Sequence, residues 1–149
     1  MGGANDQAYL QGTTLDDVFT ATAGRAQMSG TIPAMGVPYL NIAADGMGGQ
    51  RWDKVYAQVI IAGATGGTDT AHLYDSAGND TFWGKLADAV LSHGILSVTN
   101  GNLITPNMYY IKASGFDLVN LFGSTGKNKK HTIDPLDYVL ATSGPWIDA

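Results

Sequence analysis

Apolar and polar residues alternate over several short stretches of this chain. Val55, Ala57, Val59 and Ile61 alternate with Tyr56, Gln58 and Ile60, a period of two that leaves one face more apolar than the other. From Thr70 to Tyr74 the pattern repeats, with Ala71 and Leu73 placed inward and Thr70, His72 and Tyr74 outward. Asp75-Ser76-Ala77-Gly78-Asn79-Asp80 then carries turn chemistry, in which short polar side chains bond nearby backbone and glycine accepts positive φ. Phe82 resumes the inward series. Leu73 and Phe82 have the same spacing as Leu10 and Phe19, so strand, tight turn, strand is the expected local unit. Helical spacing is confined to Lys85 to Ser92, and Asp134 to Leu140 is expected to form a short terminal helix with Pro135 in its first turn.

The unit occurs twice. Gly3 to Leu10 falls on Gly66 to Leu73 without a gap, with four of eight positions identical. The same offset carries Asp17 onto Asp80 and Phe19 onto Phe82. A second block follows each first one: Ile42 to Gly46, an insertion from Met47 to Arg51, and Trp52 to Tyr56 match Ile111 to Asn120. A third copy begins at Ser124-Thr125-Gly126 and breaks off in a basic turn and a different ending. The expected organisation is a single domain over residues 1–149, with repeat 1 about 1–62, repeat 2 about 63–123 and a divergent C-terminal cap about 124–149. An all-β fold is expected, a β-solenoid stack in which Ala8 lies with Ala71, Leu10 with Leu73, Phe19 with Phe82, and Val55 with Val119.

Composition narrows the reading. All 13 acidic residues are Asp, Gly numbers 20 of 149, and charged residues are 14%, so turns and strands under a neutral surface are favoured over helices. A net charge of -5, with only Lys127, Lys129 and Lys130 clustered, speaks against nucleic acid. Zero Cys removes thiol nucleophiles, thiolate metal sites and disulfides. No apolar run approaches the roughly 20 residues of a membrane-spanning helix. The start, Met1 to Asp6, shows no basic segment followed by an apolar one, so no secretory signal is expected there.

The run from Gly66 to Phe82, GGTDTAHLYDSAGNDTF, resembles the tandem repeats of very long surface proteins of planctomycete-type bacteria. In those a segment similar to Gly115-Phe116-Asp117-Leu118-Val119 precedes each such run, as Trp52 to Tyr56 precedes this one. The resemblance implies a secreted or cell-surface repeat module. Ala77 to Phe82 is also similar to the RTX calcium-binding nonapeptide, but successive Gly-Gly-x-Gly-x-Asp repeats are missing and Gly12 stands where Asp75 does in the second copy.

Candidate chemistry is sparse. Asp69, Asp75, Asn79 and Asp80 offer hard oxygens for a weak, accessory calcium site, with hydrogen-bonded turns as the competing reading. Asp69 and Asp6 are expected to bond the next backbone N–H, and Asp16-Asp17 to be turn residues. His72, His93 and His131 have no second histidine at ligand spacing. Ser76, His72 and Asp69 compose a triad only in name, without a nucleophile elbow or oxyanion motif. Trp52 is expected in the core, whereas Trp83 and Tyr74 are the candidate contact surface. The favoured function is a non-catalytic structural or adhesive module, without a cofactor, that stacks on copies of itself as a homo-oligomer or on neighbouring repeats. The alternatives are a carbohydrate-binding module with a polysaccharide partner, and a small β-helical polysaccharide hydrolase or lyase. A matched acid, base and nucleophile set for the last is missing.

Overall fold

The computed structural model describes residues 7–23, 25–44, 54–58, 66–93, 97–99, 102–104 and 110–149, the side chains of 7, 43–44, 54–58, 97–99 and 102–104 excepted. The insertion from Met47 to Arg51, and Asp6, Trp52, Val59 to Ile61 and Tyr109, lie outside the described residues. Every regular element among the described residues is a strand: β1 (Gln7–Gln11), β2 (Val18–Thr22), β3 (Arg25–Ile32), β4 (Val37–Ala44), β5 (Lys54–Gln58), β6 (Thr70–Tyr74), β7 (Asp80–Leu86) and β8 (Asp88–His93). They are followed by β9 (Ser97–Thr99), β10 (Asn102–Ile104), β11 (Tyr110–Ser114), β12 (Leu118–Phe122), β13 (Asn128–Leu136), β14 (Val139–Ser143) and β15 (Trp146–Asp148). No helix of the described residues is long and apolar enough to cross a membrane.

A seven-stranded sheet has the order β1-β5-β11-β8-β7-β13-β15, and a six-stranded sheet the order β14-β12-β6-β2-β3-β4. The strands β9 and β10 form a separate antiparallel pair. In the larger sheet all strands run one way except β8; in the smaller all run one way except β3. The chain passes repeatedly between the sheets, from β1 to β2, β6 to β7, β11 to β12, β12 to β13 and β14 to β15. The fold is therefore all-β, in two mixed sheets.

One core lies between the sheets. Leu10, Phe82, Leu91 and Ile111 come from the larger sheet, Phe19, Met28, Leu73 and Leu121 from the smaller, and all are buried in one cluster. Large and small residues alternate across neighbouring strands: Phe19 lies beside Ala71, and Leu73 beside Ala21. That alternation lets facing side chains interdigitate at crystal-like density. The inward assignments of Ala8, Leu10, Phe19, Ala71, Leu73, Phe82 and Val119 agree with their burial.

The two copies do not stack on one another. Phe19 is in the smaller sheet and Phe82 in the larger; Leu10 pairs with Ala57 and Leu73 with Ala21 and Leu121. Ala8 lies beside Val55, and Val55 beside Ile111 rather than Val119. Lateral neighbours come instead from a shorter offset along the chain, as in the row Phe19, Ala71, Val119. The sequence repeat is local. In each copy a strand, a tight turn and an antiparallel hairpin follow in order, but β1 begins in the sheet where β6 does not. Ser76-Ala77-Gly78 and Ser124-Thr125-Gly126 follow the paired strands β6 and β12, so these two turns belong to neighbouring levels.

Both expected helices are strands. Over Lys85 to Ser92 the chain completes β7, turns at Leu86 (φ 49°) and Ala87, and returns as β8 with Ala89 and Leu91 buried. So short a run of Ala, Leu and Val satisfies a period of two as well as one of 3.6, and pairing with β11 decides between them. From Asp134 to Leu140, β13 continues past a register shift between Ile133 and Leu136, and β14 begins at Val139. Pro135 sits in the irregularity, where a missing N–H interrupts no ladder.

Candidate functional site

Where the backbone leaves one sheet for the other, its N–H groups lose their ladder partners and must find others. Adjacent strands lie about 4.8 Å apart, a span that the short side chains of Asp and Asn bridge. At one corner the Asp17 N–H donates to Asp69 Oδ1 at 2.8 Å, and the Asp69 N–H donates to Asp117 Oδ2 at 2.8 Å. Thr68 N–H donates to Asp16 Oδ1 at 2.7 Å. Backbone bonds run alongside, from Thr70 N–H to Asp17 O and from Leu118 N–H to Asp69 O. At the other corner Asp80 N–H donates to Asn128 Oδ1 at 3.0 Å, Lys127 N–H to Asn79 Oδ1 at 2.8 Å, and Ser124 N–H to both carboxylate oxygens of Asp75 at 2.8 Å. Asn128 Nδ2 also donates to Asp75 Oδ2 at 2.7 Å. Each corner is thus a ladder of side chains that fastens one strand level to the next.

This arrangement accounts for Asp rather than Glu at positions 16, 69, 75 and 117. A Glu would add a methylene and a torsion to a reach that the strand spacing already fixes. Asp69 and Asp6 were expected to cap the next N–H in their own segment; Asp69 instead serves Asp17 on a neighbouring level, and Asp6 is outside the described residues. Burial raises the Asp69 carboxyl to about 6; the Asp17 N–H opposes the rise, and the carboxylates of Asp17, Asp117 and Asp16 add to it.

Inside each turn a fully buried Asp closes the loop. Asp17 accepts from Thr13 N–H and Thr13 Oγ1, and Asp80 accepts from Ser76 N–H at 3.1 Å and Ser76 Oγ at 3.0 Å. These pairs are equivalent residues of the two copies. Their third donors differ. Tyr39 OH donates to Asp17 Oδ1 at 2.6 Å, passing over Gly30, where a Cβ would collide with that oxygen. His93, at the position equivalent to Gly30, fills the space itself and places Nδ1 2.9 Å from Asp80 Oδ1. Its ring lies over Gly78, where a Cβ would collide with Cε1. Burial, followed by the bond to Asp17, pushes the Tyr39 hydroxyl far above the usual phenol range.

Ser76, His93 and Asp80 therefore do meet, in a combination different from the Ser76, His72 and Asp69 set of the sequence. Both Ser76 Oγ and Asp80 Oδ1 lie 2.9 Å from the same nitrogen, His93 Nδ1. A relay that activates serine needs the carboxylate on one ring nitrogen and the hydroxyl on the other. This cluster closes a turn. His72 stands apart, tilted against Phe122.

Of the four calcium candidates, Asp75, Asn79 and Asp80 share one turn, while Asp69 is at the far end of β6, about 20 Å away at the rise of a strand. The oxygens of all four accept the N–H and O–H groups just described. Among the described residues no group of three or more His, Asp or Glu is arranged to hold a metal. Tyr74 and Trp83 are both partly exposed but belong to different sheets, so they do not form one platform. Tyr74 stacks on Phe122 at 4.5 Å, and Trp83 on His131 at 4.1 Å, each with its neighbour on the next strand.

Asn128, Asp117, Tyr39 and His93 were not anticipated in these roles. A signal for the first corner exists in the sequence: Asp17, Asp69 and Asp117 each precede inward residues at +2 and +4, namely Phe19 and Ala21, Ala71 and Leu73, Val119 and Leu121. Compared with protein-family models, curated proteins and solved structures, the chain matches none.

Proposed function

We propose that this chain is a non-catalytic structural or adhesive repeat module of a secreted or cell-surface bacterial protein. In this reading its strand levels are solenoid-like and its work is to stack, on itself and on neighbouring copies. The observation that carries the proposal is the pair of corner ladders, in which Asp17, Asp69 and Asp117 on one side and Asp80 and Asn128 on the other hold successive levels in register. Such a device makes each level a template for the next, as in repeat proteins whose units contact mainly their neighbours. The neutral Thr, Asn and Gly surface supports the same reading, because close approach of two such faces desolvates few charges. The resemblance of Gly66 to Phe82 to planctomycete-type surface repeats agrees with it. Electron micrographs of the purified protein test the proposal: filaments or layers are expected, and monodisperse single-chain particles at every concentration would overturn it.

A further inference from the structure

The edges of the two sheets have an unusual relation. At one end of the structure lie β14 and β15, joined by a two-residue turn; at the other lie β4 and β1, which pack on each other. In the smaller sheet β14 and β4 run the same way, and in the larger sheet β15 and β1 do too. A copy displaced along the sheets, and turned by the twist accumulated across them, therefore brings β14 beside β4 and β15 beside β1 in the parallel sense.

The edge strands are only lightly protected: Pro38 in β4, and the short length and Asp148 of β15, are the blunting features they carry. β4 and β14 carry no charged residue, and β4 is eight residues long with Leu40 and Ile42 on one face, 56% and 48% exposed. At the opposite end Val139 is 66% exposed. Long, uncharged, apolar edges are where sheets add further strands, and natural edges usually blunt this with Lys or inward charges. Among the described residues the sole strand neighbour of β4 is β3, and that of β14 is β12.

We propose that β14 of one copy docks in parallel on β4 of a second copy, with β15 continuing onto β1, so that the chain assembles head to tail. The inference rests on the stacking function above and assigns its surfaces. Parallel addition repeats the relation that β2, β6, β12 and β14 already have within the molecule. Each contact involves five- and three-residue strands and a few half-exposed aliphatic side chains, on the order of a few hundred Å² per partner against about 800 Å² in a standard interface. Association is accordingly weak per contact and open-ended, since a heterologous contact that repeats with translation along the sheets does not close.

Sedimentation velocity on the full chain and on two edge variants, up to about millimolar, tests the proposal. One variant is Leu40→Lys with Ile42→Lys, the other Val139→Lys with Ala141→Lys; all four side chains are exposed, and unchanged circular dichroism and melting temperature confirm that each variant is folded. The unaltered chain is expected to sediment faster with concentration without stopping at a dimer. Each variant alone should stay monomeric, while their equimolar mixture should stop at a heterodimer, because one free edge of each kind remains. A chain that is monomeric throughout would overturn both this proposal and the self-stacking reading. Assembly undiminished in both variants would overturn this interface and leave that reading standing. Dimers of the Val139 variant alone would mean a two-fold β4 to β4 contact and overturn the head-to-tail arrangement.

Discussion

Replacing Asn128 with Leu removes one corner fastening while keeping side-chain size nearly constant. Asn128 is fully buried and makes two bonds there: its Oδ1 accepts from the buried Asp80 N–H, and its Nδ2 donates to the Asp75 carboxylate. Leu leaves the N–H with no partner, a penalty of about 1–3 kcal/mol, and deletes a bond to a charged group, worth about 1.5–3 kcal/mol. Leucine recovers part of this through its apolar surface, so a net loss of about 3–4 kcal/mol is expected. That is a large share of the roughly 5–15 kcal/mol by which domains are stable. Urea titration should show a lower midpoint with an unchanged slope, and the melting temperature should fall by about 6–16 °C. Asn128→Asp separates the two bonds, because it keeps the acceptor for Asp80 N–H and turns the donor into an oxygen facing Asp75. It too should destabilise at neutral pH. A loss under about 1 kcal/mol in Asn128→Leu would refute the reasoning, and would mean that backbone ladders and core packing hold the levels without help from the corner side chains.

Three other outcomes are expected. Because burial raises the Asp69 carboxyl to about 6, the folded state holds that proton more tightly than the unfolded state; the stability it contributes is complete below about pH 4 and is lost as pH rises through about 6. Asp69→Asn keeps an acceptor for Asp17 N–H, so its melting temperature relative to the unaltered protein should be more favourable at pH 7 than at pH 4; an equal difference at both would contradict the assignment. Gly78→Ala should displace the His93 ring and cost about 1.5–3 kcal/mol, but much less in a His93→Ala background, and additive losses in the double-mutant cycle would show that the two do not touch. Millimolar calcium, compared with chelator, should move thermal unfolding by no more than a few degrees, as expected of a weak site worth well under about 1 kcal/mol; a shift of tens of degrees would mean that Asp75, Asn79 and Asp80 belong to a structural calcium site.

The sequence made the strand, turn, strand unit legible, but it suggested helix at Lys85 to Ser92 and Asp134 to Leu140, where strands form, and left the long-range pairing hidden. Thr13 with Asp17 and Ser76 with Asp80 build the same closed turn, and that identity is what the self-similarity of the two copies reports. It says nothing of lateral neighbours, because backbone bonds between strands are blind to residue type. The shorter offset that relates those neighbours is carried by a sparse pattern, an Asp before two inward apolar positions, with little identity around it. His93 was unreadable for a related reason. Its partner Asp80 is across a hairpin, and that hairpin lay within a segment whose Ala, Leu and Val residues fit a helix equally well. Tyr39 reaches Asp17 because of a glycine at position 30, a vacancy that acquires meaning only once β3 and β4 are paired.

Amide hydrogen exchange tests the corner ladders most directly. The N–H groups of Asp17, Asp69 and Asp80 lie where the chain bends between sheets, and each donates to the side chain of a residue on the next strand level. They are predicted to exchange as slowly as amides in the middle of β6, and far more slowly than Thr14 or Ala77 in the adjoining turns. Exchange of all three at the rate of exposed turn amides would contradict the account.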